Sequence, residues 1–300
     1  MQSPVELIPQ LAQHLVAAGG KRIRPILTLI SARLCGYSGD RHVNLAACVE
    51  FLHTATLMHD DVVDASELRR GRATANAVWG NKAPVLVGDF LFSRAFQVMV
   101  ADGSLEVLRI LSDAAAVIAE GEVMQLLTAN DSTTTEDAYF AMIEAKTAKL
   151  FEASSRIGAV VADRPAADVE ALAEYGKCIG IAFQLIDDAL DYGAEQQALG
   201  KTVGDDFADG KVTLPVAIAL AKGDAAERVF WQRVLETDDR RDGDFAEAMR
   251  LLKKHDAINA TIRRAEVYGE RARRALDRFP ACPERAAMLE LVDFCIERAY

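Results

Sequence analysis

The sequence predicts an all-α chain, and three observations carry the prediction. Apolar residues recur at helical spacing along nearly the whole length, Gly, Pro, Asp, Ser and Thr cluster between the periodic segments, and no run of alternating β-branched residues competes. In chain order, helices are expected over 4–18, 22–36, 41–66, 84–101, 104–129, 136–162, 167–192, 211–222, 226–236, 243–255, 257–278 and 284–299. A glycine turn, Gly19-Gly20, separates the first two. The segments 41–66, 84–101 and 167–192 are apolar on most of their circumference, which marks them as central, buried helices. Pro84 and Pro215 suit the first turns of their helices, where a missing N–H costs nothing. Thr133 with Glu136 fits a capping box opening 136–162, and Pro165 follows that helix's end. With no linker-like stretch and no fixed-period repeat, 1–300 reads as a single domain.

Composition narrows the function. Of 300 residues 51% are hydrophobic, ample for a large core, and the net charge of −11 gives a nucleic-acid partner no electrostatic support. No basic n-region followed by an apolar h-region opens the chain, so a secretory signal is not expected. No stretch approaches eighteen uninterrupted apolar residues, and "LPVAIALA" (214–221) is far too short to span a bilayer. Cys35, Cys48, Cys178, Cys282 and Cys295 are scattered and never spaced as CxxC, which reads as buried thiols in a reducing cytoplasm.

The chemistry begins at "HDDVVDASELRR" (59–70). Asp60, Asp61 and Asp64 fall within two turns of one helix, where like charges repel by a few tenths of a kcal/mol per pair. Glu50, His53 and these aspartates fall within an arc of about 100°. On a second helix, "FQLIDDALDY" places Gln184, Asp187, Asp188 and Asp191 at i, i+3, i+4 and i+7, with Gly176 and Gly180 allowing close packing nearby. One such stripe is readily a solvated face. Two, each on an otherwise apolar helix, are hard to expose together, and buried unpaired carboxylates would cost several kcal/mol each. Divalent cations with oxygen ligands resolve this, and magnesium suits a site mixing carboxylates, waters and phosphates. Glu50 and His53 also form a Glu-x-x-His pair of the di-iron type, but that site needs a second pair, which the five histidines do not supply.

Basic residues flank the acidic ones. "GGKRIRP" (19–25) offers Lys21, Arg22 and Arg24; Arg69, Arg70 and Arg72 follow the first motif; Lys146 lies in "EAKTAKL"; Lys201 and Lys211 flank "GKTVGDDFADGK". Each alone is ordinarily a solvated charge. Together with carboxylates and magnesium they form the combination that grips a diphosphate. No Walker-type or dinucleotide glycine loop points to a nucleotide.

These segments, with "EFLHTATLMHDDVVDASELRRGRATAN", "VGDFLFSRAF", "AEGEVMQL" and "GKTVGDDFADGKVTLP" in order, resemble the trans-polyprenyl diphosphate synthases over nearly the whole chain. The resemblance implies an all-α isoprenoid synthase bundle of antiparallel helices around a central cavity, working as a homodimer. It implies head-to-tail condensation of isopentenyl diphosphate onto an allylic diphosphate such as farnesyl or geranylgeranyl diphosphate. Asp60, Asp64, Asp187 and Asp191 would hold two or three magnesium ions, with Asp61, Asp188 and Lys201 also in the catalytic set. Arg69, Lys146, Thr147, Gln184, Lys201 and Lys211 would grip the allylic diphosphate; Lys21, Arg24, His53 and Arg70 would bind isopentenyl diphosphate. In this family bulky aromatics four or five positions before the first motif block the growing tail. Here those positions hold Thr56 and Ala55, both small, which favours a long product of decaprenyl type for the ubiquinone side chain, discharged through transient membrane contact.

Two departures accompany the resemblance: relatives usually carry a further segment before the first helix, and position 65 is Ala where many are acidic. Three rivals are weaker. A farnesyl- or geranylgeranyl-length product would keep the reaction. A class I terpene cyclase usually replaces the second DDxxD and lacks a second diphosphate site, whereas "DDALD" and "GGKRIRP" are both present; a regulatory subunit would carry a degraded motif.

Overall fold

The computed structural model describes residues 3–17, 19–69, 71–193, 204–237 and 239–297. The chain divides into two compact units, one of Met1–Ala115 with Ser154–Pro165, the other of Ala116–Ala153 with Ala166–Tyr300.

The first unit contains α1 (Leu7–Ala17), α2 (Ile23–Leu34), α3 (Arg41–Val63), the short α4 (Ala75–Trp79), α5 (Lys82–Asp102) and the start of α6 (Leu105–Thr128). α3 and α5 pack side by side and antiparallel. A two-bond ion pair from Arg41 to Asp102, at 2.9 and 2.8 Å, ties the start of one to the end of the other. Leu11, Leu15, Ala55, Met58, Val87 and Leu91 fill the space between α1, α3 and α5. Burial pushes the Cys48 thiol up to about 12, so it stays protonated and donates to the Ala95 carbonyl at 3.4 Å. Among the described residues one helix, α5, is long and apolar enough to cross a membrane by length and composition alone, a test that buried core helices also pass. Asp89 and Arg94 interrupt it, and charges at such depth are expensive in a bilayer.

The second unit contains the remainder of α6, α7 (Glu136–Ile143), the first part of α8 (Lys149–Val161), α9 (Ala166–Asp191) and helices Asp205–Ala208, Leu214–Lys222, Ala225–Glu236, Asp244–Lys254, Ala257–Ala275 and Pro283–Glu297. α9 packs along Ala257–Ala275, and its apolar side joins Tyr139, Leu214, Trp231 and Leu251 in the core. Buried Glu227 closes this unit's surface: it completes a capping box with Asp224, pairs with Lys254, and contacts His255 Nε2 at 2.7 Å. Those two basic partners, Lys254 foremost, hold its carboxyl down to about 2. The depressed value means the stabilisation is complete above about pH 4.5 and is lost as pH falls through about 2. Thermal melts between pH 6 and 2 should therefore show a steeper acid decline in the wild type than in Glu227→Gln.

Four local features depart from the sequence expectations. Thr135, not Thr133, caps α7, accepting from Ala138 N at 3.2 Å. Thr133 instead turns onto Asp131, its N–H and hydroxyl donating at 2.8 and 2.6 Å, so it is unavailable as a cap. The expected helix 136–162 contains a π-helical turn, Glu144–Ala148. α4 was not foreseen, nor was an antiparallel ribbon pairing Leu68↔Ala73 and Arg69↔Arg72.

Candidate active site

In the first unit, α3 ends in the first acidic motif. Asp60 is half-buried and Asp64 exposed, one turn apart on one face, whereas Asp61 points about 100° away and is 0% exposed. Asp61 Oδ1 accepts from Arg69 Nε at 2.7 Å, while its buried Oδ2 has no hydrogen-bond partner. Burial raises the Asp61 carboxyl from its ordinary range; Arg69 pulls it back and Asp64 adds repulsion. The ribbon aims Arg69: its turn passes Gly71 at φ 73°, where glycine has no Cβ to clash, and returns the strand toward α3. Ser66 O fixes the loop before it, accepting from Thr74 Oγ1 at 2.6 Å and Asn76 Nδ2 at 2.9 Å.

The basic loop between α1 and α2 reaches the same helix. Arg22, in the left-handed conformation at φ 51°, forms an ion pair with Glu50. Arg24 Nη1 lies 3.1 Å from His53 Nε2. A guanidinium only donates, so this bond selects the tautomer with the histidine proton on Nδ1. Glu50 and His53 are thus engaged by arginines, which the di-iron pattern does not contemplate. Arg24 and His53, two of the expected isopentenyl diphosphate residues, are together; Lys21 is exposed nearby in the loop, and Arg70 lies outside the described residues. The two tail positions differ. Ala55 is fully buried in the apolar cluster, while half-buried Thr56 shares the Asp60 face and donates to His53 O at 2.8 Å.

In the second unit, α9 repeats the division seen on α3. Asp187 and Asp191 are half-buried and Asp188 is buried. Tyr139 donates to Asp188 Oδ2, and Gln184 Nε2 donates to Oδ1 at 2.7 Å. The other end of the Gln184 amide, Oε1, accepts from the Thr147 hydroxyl at 3.0 Å. Burial pushes Asp188 up to about 7, against the pull of Tyr139 and Gln184. The π-helical turn carries Lys146 and Thr147, of which Thr147 contacts Gln184 while Lys146 Nζ is 2.6 Å from Glu122.

At the end of α9, Asp191 Oδ2 accepts from Asp206 N at 3.1 Å. Asp206 is raised well above the ordinary carboxylate range by burial and by the charges of Asp188 and Asp191. Lys211 faces this group, pulling both Asp191 and Asp206 down, and pairs with Asp209 at 2.9 Å. Lys201 lies outside the described residues. Sequence reasoning missed Asp206, Tyr139 and Glu122. Asp206 had a signal, an acidic pair inside a Gly-rich loop, whereas Tyr139 looks like any core aromatic.

Both acidic faces fit a hard divalent cation. Their donors are all carboxylate oxygens; Asp61 Oδ2 is buried without a hydrogen-bond partner, and Asp206 is raised by burial and by the charges of Asp188 and Asp191. Among the described residues, no three His, Cys, Asp or Glu side chains by themselves form a metal cage. That arrangement suits an ion whose coordination is completed by water and a phosphorylated ligand.

Comparison with known proteins agrees with this chemistry. Residues 5–252 match the family model described as polyprenyl synthetase. The chain is 44% identical over 300 residues to the octaprenyl diphosphate synthase of Haemophilus influenzae, covering 100% of this chain and 91% of that one. The solved decaprenyl diphosphate synthase of Rhodobacter capsulatus is 51% identical with a TM-score of 0.97, covering 100% and 93% of the two chains. A polyprenyl synthase from Caulobacter crescentus, solved with calcium and isoprenyl diphosphate, is 50% identical with a TM-score of 0.95, covering 100% and 92%. At such identity over all of this chain and more than nine-tenths of each relative, the chain belongs to the polyprenyl synthetase family of trans-prenyltransferases.

Proposed function

We propose that this protein condenses isopentenyl diphosphate with an allylic diphosphate in a magnesium-dependent reaction, giving a long all-trans polyprenyl diphosphate of decaprenyl type. The observation that carries the reading is the matched division of the two motifs. In each, the outer aspartates keep part of their surface exposed, and the middle one is buried and clamps a candidate diphosphate-binding group, Arg69 in one and Gln184 in the other. The named octaprenyl and decaprenyl relatives support the product class.

In this reading Asp60, Asp64, Asp187 and Asp191 hold magnesium, which when bound stabilises the departing diphosphate and so promotes ionisation of the allylic carbon. Arg69, Lys146 and Lys211 donate to that diphosphate, with Thr147 and Gln184 orienting it. Arg24 and Lys21 anchor isopentenyl diphosphate beside His53. The double bond of isopentenyl diphosphate attacks the allylic carbon, a C–C bond replaces the C–O bond, and the proton lost goes to the departed diphosphate. Mass spectrometry of products from farnesyl and isopentenyl diphosphates tests this. A ladder ending near ten prenyl units, abolished by EDTA and restored by magnesium, is expected; a short product overturns the chain length, and no elongation by folded enzyme overturns the reaction.

We further read 1–300 as one catalytic domain, since the family match runs through both units, and the product as destined for ubiquinone. A homodimer is supported by the outer face of the first unit. Leu86, Val100 and Leu105 are 68, 66 and 81% exposed there, a stripe that a second copy would cover. The Leu86→Glu/Val100→Glu double variant should sediment as a monomer; an unchanged dimer removes this face from the interface. The described cysteines are free, four of them buried, in keeping with a reducing cytoplasm.

A further inference from the structure

Lys146 and Thr147 lie on a π-helical turn, a rare geometry that concentrates at functional sites. Glycines press on it from two helices. A Cβ on Gly121 of α6 would fall 2.5 Å from Lys146 N and 2.8 Å from its Cα, and one on Gly180 of α9 would fall 2.6 Å from Ala148 Cα. Main chain therefore rests almost directly on main chain, and the turn has no room to shift. What remains adjustable is the Lys146 side chain, four flexible carbons ending in a compact charge.

We propose that Glu122 is the positioning residue that holds this ammonium for the allylic diphosphate. The proposal rests on the reading that Lys146 binds that diphosphate. Glu122 directly follows Gly121, and its Oε2 meets Lys146 Nζ at 2.6 Å. The other lysines of the neighbourhood have carboxylates of their own: Lys149 pairs with Glu152 and Lys177 with Glu144. The pair is not buried for stability, since the two side chains are 20 and 28% exposed. Lys146 has three N–H donors, so pairing with Glu122 fixes the ammonium and leaves donors for an anion. A fixed donor loses less freedom on binding, which favours affinity for the ligand it faces. The same carboxylate also repels an anion, so the sign of the effect is a real test.

The experiment is steady-state kinetics of the full-length enzyme with magnesium, varying farnesyl diphosphate and isopentenyl diphosphate separately, with thermal melts of each variant. Glu122→Ala should raise the KM for farnesyl diphosphate about tenfold, as loss of an orienting partner commonly does. The KM for isopentenyl diphosphate and the melting temperature should hold. Glu122→Gln, whose amide oxygen can still accept, should recover part of the loss. The double variant Glu122→Ala/Lys146→Ala should be no weaker than Lys146→Ala alone, because the two act as one unit. An unchanged or lowered allylic KM in Glu122→Ala, or additive losses in the double variant, overturns the proposal. An unchanged allylic KM in Lys146→Ala overturns the underlying assignment of that lysine, and the proposal with it.

Discussion

Asp60→Ala is expected to slow elongation about a hundred- to a thousandfold, the scale of removing one charge-stabilising group from a reaction centre, while shifting the melting temperature little. Asp60 is half-buried, so truncation opens less of a cavity than the loss of a fully buried side chain. Asp61→Ala should behave differently. It removes the Arg69 anchor and strands a guanidinium, which costs about 1–3 kcal/mol. The low end is expected, because burial and the unsatisfied Oδ2 already weaken the pair. The second motif repeats the contrast more strongly. Asp187→Ala should lose activity with little change in stability, whereas Asp188→Ala strips partners from both Tyr139 and Gln184 and should unfold at clearly lower temperature. Paired initial rates and thermal melts of the four variants decide it. If inner and outer aspartates melt alike, the division of labour between them is wrong.

The helices and the aspartate faces were legible because both depend on a period. Apolar residues every three or four positions mark α3, α5 and α9, and the same spacing places Asp60 with Asp64 and Asp187 with Asp191. What escaped depends on tertiary partners or on small insertions in that period. The ribbon has strands of two residues each, too short for any alternation to register, yet it delivers Arg69 to Asp61. The π-helical turn disturbs the helical phase by a single residue, so the run 136–162 reads as one helix while the feature that displays Lys146 stays hidden. Tyr139 meets Asp188 from 49 residues away, and its hydroxyl follows no local pattern. The Glu50–His53 pair has metal-pattern spacing that the histidine count already set aside, and Arg22 and Arg24, following the turn at Gly19-Gly20, take up both side chains.

Product length offers the sharpest separation of neighbouring residues. Thr56→Phe is expected to end elongation several prenyl units early in an otherwise stable enzyme, and Ala55→Phe is expected to leave product length alone while destabilising the fold. Thr56 shares the Asp60 face one turn back, roughly 6 Å along the helix, so an aromatic ring there stands below the carboxylate that would hold the diphosphate. The substitution loses one hydrogen bond to His53 O, a modest loss in a half-buried setting. Ala55 points about 100° away from Thr56, into the cluster of Leu11, Leu15, Val87 and Leu91, where an added ring must displace neighbours on α1 or α5. Overpacking of that kind costs about 1–3 kcal/mol, read as a lower melting temperature. Mass spectrometry of the products beside melts of both variants separates the cases. A full-length product from Thr56→Phe places the tail away from this face of α3. A shortened product from a stable Ala55→Phe makes the α1–α3–α5 cluster the wall against which the tail stops, in which case Leu11 and Leu91 become the next residues that set its length.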